Sequence, residues 1–143
     1  MSIPERFSTA LNRRDLDTLV ELFTESATYH DLFYGEHSRH AGLRAMFERM
    51  FHEGRDHVWT MDVVLESPQY AVAEWTFSFI VSDAVPRSAG RKLRFRGMSI
   101  FELQDGKIRA YREYFDKGAT LVQLGFPPDS LARVLSRNIP ATL

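Results

Sequence analysis

Two carboxylates stand where acid/base chemistry would use them. Asp31 ends the run Ala27-Thr28-Tyr29-His30-Asp31, and in an extended segment it shares a face with Tyr29. Glu113 lies in Tyr111-Arg112-Glu113-Tyr114-Phe115, on the face of Tyr111 and Phe115. A carboxylate lodged in an apolar cavity has its pKa raised by lost hydration, so it can exchange protons near neutrality. Two in one cavity repel each other, leaving one ionised as a base and the other protonated as an acid. Each residue also has a plainer role open to it. Asp31 could end its strand and cap the loop that follows. Glu113 could face outward and pair with Arg112 or Arg94, because Ala110 and Tyr114 on the opposite face are also apolar.

Other side chains could serve a ligand. Tyr29, Trp75 and Tyr111 can each donate a hydrogen bond to a carbonyl while stacking on a flat molecule, or can be plain core aromatics. His57, at the start of an alternating run, could stand at a cavity mouth as a proton shuttle or lie on the surface. His37 and His40 have the spacing of a zinc pair, but nothing else supplies the recurring spacing of a metal site, and no metal is expected. Arg87 and Arg91 flank Pro86 in a loop that could border the cavity rim. The chain has no Gly-x-Ser-x-Gly, no phosphate loop and no dinucleotide fingerprint, so no cofactor is expected. Without cysteine it has no thiolate nucleophile and no disulfide.

These residues must be held by an ordered frame. Ser2, Pro4 and Glu5 make a helix-start signature, and Phe7, Ala10 and Leu11 follow at helical spacing. Asp15 can cap a second helix with Leu16, Leu19, Val20 and Phe23 on its apolar face. Residues 27–31 read as a short strand and 35–42 as a polar loop. Leu43, Met46, Phe47, Met50 and Phe51 mark a third helix, stopped at Gly54. From about His57 the period becomes two, with strands over 58–65, 70–82, 91–104 and 107–116. Trp75 and Phe77 lie on one apolar face, and Phe95, Gly97 and Ser99 on another. Gly97 would leave room for a cavity or permit a sharp bend. Short helices close the chain around Pro127-Pro128. Helices grouped before successive hairpins argue for an α+β fold with an antiparallel sheet.

Composition narrows the function. The 143 residues are 44% hydrophobic and 26% charged, an ordinary globular balance, but 11 are phenylalanine, which suits an apolar pocket. The net charge is −1 with acids and bases mixed, so there is no basic stripe for nucleic acid. No stretch approaches 18 apolar residues and the start carries no apolar leader, so no membrane partner and a cytoplasmic location are expected.

With these residues in view, the chain resembles the SnoaL-like group of the nuclear transport factor 2-like superfamily, which also holds ketosteroid isomerase-like proteins. The resemblance is carried by Asn12-Arg13-Arg14-Asp15-Leu16, Leu22-Phe23 and residues 27–31. It continues through Ser99-Ile100-Phe101-Glu102-Leu103-Gln104-Asp105-Gly106-Lys107-Ile108 into 111–116. It covers roughly residues 4–118 of a single domain, with 119–143 as a C-terminal helical extension. It implies a cone-shaped α+β barrel, its N-terminal helices packed on a strongly bent antiparallel sheet that encloses an apolar cavity. It also implies a general base at Asp31 and an acidic residue at Glu113, acting on a small apolar molecule. The cavity would be lined by Tyr29, Trp75, Phe77, Phe95, Ser99, Tyr111, Phe115, Phe7 and His57. Epoxide hydrolases of this fold carry Arg and Asp where this chain has Trp75 and Phe77. Steroid isomerases carry their oxyanion donors where it has Phe7 and Ser99. The resemblance therefore points to isomerase, cyclase or dehydratase chemistry without cofactor, with a non-catalytic binding protein or an assembly module as the alternative. The convex sheet face, with Glu74, Arg94, Arg96 and Arg112, would join two copies in a homodimer.

Overall fold

A computed structural model describes residues 1–142. Helix α1 spans Ile3–Asn12. Its capping box is closed: the Ser2 hydroxyl accepts from the Glu5 N–H at 3.3 Å, and Glu5 accepts from the Ser2 N–H at 2.8 Å. Helix α2, Leu16–Glu21, is capped by Asp15, which accepts from the Thr18 N–H at 3.1 Å. Phe23, expected on that helix, instead opens β1, Phe23–Asp31. This strand is longer than the sequence suggests because its register against its neighbour breaks between Phe23 and Thr28. The break interrupts the alternation that would have marked it as one strand.

The segment expected as a polar loop contains β2, Gly35–Ser38, followed at once by α3, Arg39–Glu53. β2 pairs with β1 from Thr28↔Ser38 to Asp31↔Gly35 and forms a sheet edge. Mostly exposed, it carries no apolar alternation to reveal it. Then come β3 (Gly54–Glu66), β4 (Tyr70–Val81), β5 (Lys92–Gln104) and β6 (Lys107–Phe115). Two helices, α4 (Lys117–Gln123) and α5 (Pro128–Ser136), end the chain. No helix among the described residues is long and apolar enough to cross a membrane.

The six strands form one unclosed sheet in the order β2-β1-β6-β5-β4-β3. Four of its five pairings are antiparallel, but β1 and β6 run parallel, which corrects the expectation of a purely antiparallel sheet. The physical reason is the route of the chain. The α3 helix and the β3–β5 meander together form a connection long enough to bring β6 back beside β1 in the same direction.

The inner sheet face and the helices enclose an aromatic core. Phe7 is its hub, with rings of Phe23, Trp59, Phe101 and Tyr111 within 5.1–6.3 Å. Gly97 faces Trp75 across the β4–β5 ladder. A Cβ there would stand 2.5 Å from the Trp75 indole and 2.7 Å from the Tyr114 carbonyl. The space that glycine leaves is thus filled by the indole rather than by a ligand cavity.

Candidate active site

The parallel β1–β6 ladder brings the two carboxylates together. Tyr29 is the direct neighbour of Tyr111, and their rings stack with centroids 4.1 Å apart. Two residues further along both strands come Asp31 and Glu113, on the same inner face and each only 5% exposed. Asp31 also caps the following turn: its Oδ1 accepts from the N–H groups of Phe33 at 2.7 Å and Tyr34 at 2.8 Å. The cap open to it from sequence is thus formed, by a carboxyl that also faces the inner side of the sheet. Glu113 points inward and makes no ion pair with Arg112 or Arg94; Arg112 pairs with Glu102 at 2.6 Å.

Burial raises the Asp31 pKa, while the Tyr34 and Phe33 N–H groups, the Glu113 carboxyl and the nearby His37 pull it back down. Burial raises Glu113 well above the usual carboxylate range, and the charge of Asp31 and a hydrogen bond with it push further the same way. Glu113 Oε1 is fully buried and receives no hydrogen bond from any described residue, so ionising it there is costly. Burial and the neighbouring carboxyl thus act more strongly on Glu113 than on Asp31, whose charged form the two N–H groups favour. Behind it runs a buried chain of donors. The Trp75 indole N–H donates to Ser99 Oγ at 2.7 Å, and Ser99 Oγ lies 2.8 Å from the Tyr111 hydroxyl. The Tyr29 hydroxyl is buried without a hydrogen-bond partner among the described residues.

Asp31 and Glu113 open into a cavity of about 30 Å³, room for about one or two waters. Of the residues expected to line it, His57, Phe77, Phe95 and Phe115 do. Phe7, Tyr29, Trp75, Ser99 and Tyr111 do not. They are fully or nearly fully buried in the core behind the wall, which corrects the expectation that they touch a ligand. Strand alternation assigns a face but not a depth, and these five belong to the packed end of that face.

The wall is completed by Phe33, Tyr34, Met50, Trp59 and Phe79, none of them expected there. Phe33 and Tyr34 follow Asp31 directly and sit in a turn; their signal was two aromatics in a row before a glycine. His57 lies in the wall and not on the surface. Its ring stacks on Phe77 and Phe79 at 5.9 and 5.5 Å, and burial, aided by Arg14, lowers its pKa to about 4. It is a neutral imidazole near pH 7 and a poor proton carrier there. His37 and His40 each lie 2.8 Å from a backbone carbonyl, those of Tyr34 and Phe23, to which the ring N–H donates. Among the described residues, no group of three or more His, Asp or Glu side chains is placed to hold a metal ion.

The profile of the SnoaL-like domain family matches residues 5–111. No curated protein sequence matches the chain. Among solved structures, it resembles a hypothetical protein with a ketosteroid isomerase-like fold from Catenulispora acidiphila, in complex with trimethylamine. That pair is 16% identical, covers 89% of this chain and 95% of the other, and has a TM-score of 0.77. An epoxide hydrolase of the LEH-like type from M. tuberculosis is 20% identical, covering 99% of this chain and 93% of its own, with a TM-score of 0.70. TsrD from Streptomyces laurentii is 25% identical over 86% of this chain and 92% of its own, with a TM-score of 0.73.

Proposed function

The chain belongs to the SnoaL-like domain family, and from that membership and its buried carboxylates we propose that it is a cofactor-independent acid/base enzyme for a small, mostly apolar carbonyl or hydroxyl compound. The observation that carries this reading is the Asp31–Glu113 pair, two buried carboxyls on one inner face at the end of an apolar cavity, with Glu113 the more strongly raised in pKa. Asp31 takes a proton from a carbon beside the substrate carbonyl. Glu113 gives its proton to the carbonyl oxygen, or to a departing hydroxyl. Return of a proton at another carbon is an isomerisation; loss of water is a dehydration; attack of the resulting enol on a second carbonyl is an aldol-type cyclisation. In each case charge is moved within the pair and not created, which suits a dry site. The cavity, with room for about one or two waters, admits only a compact reacting group unless its aromatic wall shifts.

The test is exchange of the acidic protons of small ketones in deuterated water, followed by proton NMR. The wild type should speed that exchange, and Asp31→Asn should lose the effect. Equal exchange by the two proteins would sink the acid/base reading.

We further propose a homodimer through the outer sheet face. In its support, Val63, Met98 and Tyr114 are large, exposed and aligned across β3, β4, β5 and β6, with only Glu74 between them.

A further inference from the structure

A second pocket, of about 320 Å³, adjoins the cavity that holds the carboxylates. The two share Phe33, Tyr34 and Phe79 as a common partition. We propose that this outer chamber is the subsite for an uncharged apolar tail of the substrate, so that the substrate is an amphiphile: a compact ketone or alcohol head on an alkyl or prenyl chain. The inference rests on the acid/base reading for where the head goes, and on the outer chamber alone for where the tail goes.

The lining argues for such a tail. Val81, Val85, Leu93, Leu124 and Phe126 supply its apolar surface. Its two charged residues cancel each other: Arg49 Nε lies 2.8 Å from Glu53 Oε1, and the Arg49 guanidinium covers the Tyr34 ring at 5.0 Å. The Tyr34 hydroxyl donates to the other Glu53 oxygen at 3.2 Å. The pair leaves the lining without net charge, and apolar side chains make up most of the remaining wall, which favours an uncharged group there. The chamber holds roughly tenfold the volume of the inner cavity, about 320 against about 30 Å³, so the bulk of any ligand must lie outside the partition.

The chamber is built into the fold. Gln123 at the end of α4 extends the β5 edge, its side chain accepting from the Arg94 N–H at 2.8 Å and donating to the Arg94 carbonyl at 3.0 Å. Ser88 in the β4–β5 loop donates to the Leu124 carbonyl at 3.1 Å. These bonds fix the turn that presents Leu124 and Phe126. Both residues lie past position 111, where the family match ends, so one side of the chamber comes from the part of the chain outside that match.

The test is a binding series with straight-chain methyl ketones from acetone to undecanone, read by tryptophan fluorescence and by calorimetry. Kd should fall about fourfold per added methylene until the chamber is filled, then level off. In Leu124→Asp, and independently in the milder Phe126→Ser, the series should flatten while the shortest ketones bind as in the wild type. Kd values that do not change with chain length in the wild type, or a series untouched by both substitutions, would overturn the subsite. Asp31→Asn separates the two proposals. It should keep the chain-length dependence of binding whether or not it loses proton exchange, because the tail contacts neither carboxylate.

Discussion

The Tyr34 backbone N–H donates to Asp31 Oδ1 at 2.8 Å, so the residue that would take the substrate's proton also holds the wall of its own cavity. The two roles can be separated. Asp31→Asn keeps an oxygen acceptor for the Phe33 and Tyr34 N–H groups but no longer accepts a proton. Its turnover should fall by about a hundredfold to ten-thousandfold with stability little changed. Asp31→Ala leaves both donors without a partner and should cost about 1–3 kcal/mol in urea unfolding. If the two variants are equally stable, the turn does not depend on the side chain.

Glu113 should make the protein less stable as pH rises. Its carboxyl is protonated in the folded chain at pH values where the unfolded chain has released the proton, above about the ordinary 4.5. The folded state then binds more protons, and stability falls with increasing pH up to the raised folded pKa. Asp31 adds a change of the same sign. Glu113→Gln keeps the shape, donates to Asp31 and lacks the titration. It should be the more stable protein at neutral pH, by a margin that widens with pH. Unfolding curves across pH read this directly, and a constant difference between the two proteins would mean that Glu113 is already ionised in the fold.

His57 works in the opposite direction. Its folded pKa of about 4 lies below the ordinary 6.5, so between those values the unfolded chain takes up a proton that the folded chain refuses. Stability is lost as pH falls through that window, by about 3 kcal/mol at its lower end. The carboxylates and the imidazole therefore oppose each other below pH 6.5, and a flat wild-type profile there would hide both. His57→Phe, set among Phe51, Phe77 and Phe79, removes one side of the balance. The stability difference, variant minus wild type, should grow as pH drops from 6.5 to 4 and be constant above it. A difference independent of pH would place a charged or solvated imidazole at this position.

Asp31 and Glu113 could be picked out from the sequence because each shares a strand face with a tyrosine and because the family resemblance marks both positions, although periodicity left the face of Glu113 open. That they meet could not be read there. Their meeting depends on the parallel β1–β6 ladder, a pairing between strands separated by a helix and four other strands, which leaves no local trace. The inner face of β4 and β5 was equally plain, but depth along it was not. Trp75 and Phe77 alternate identically, yet one is sealed over Gly97 and the other lines the cavity. Phe33 and Tyr34 escaped notice because they sit in a turn beside a polar edge strand, where apolar periodicity has no meaning.

The outer face offers the last test. Val63, Met98 and Tyr114 are 52%, 47% and 59% exposed and stand in one row across the sheet through Glu74. Leu65, at 70%, heads the next row, opposite Val72 and Ile100. Large apolar side chains in adjacent rows lower the free energy of the protein when a second copy covers them, and a stable pair buries about 800 Å² from each partner. Their flanks carry Arg96 on one side and the Glu102–Arg112 ion pair on the other, a polar rim around an apolar centre. Met98→Asp places a charge at that centre and should halve the mass measured by light scattering. Tyr114→Ser should weaken the dimer by about tenfold or more in sedimentation equilibrium. Neither residue lines the cavity, so ligand binding should persist in both variants. A wild type that sediments as a monomer at high concentration would rule the interface out.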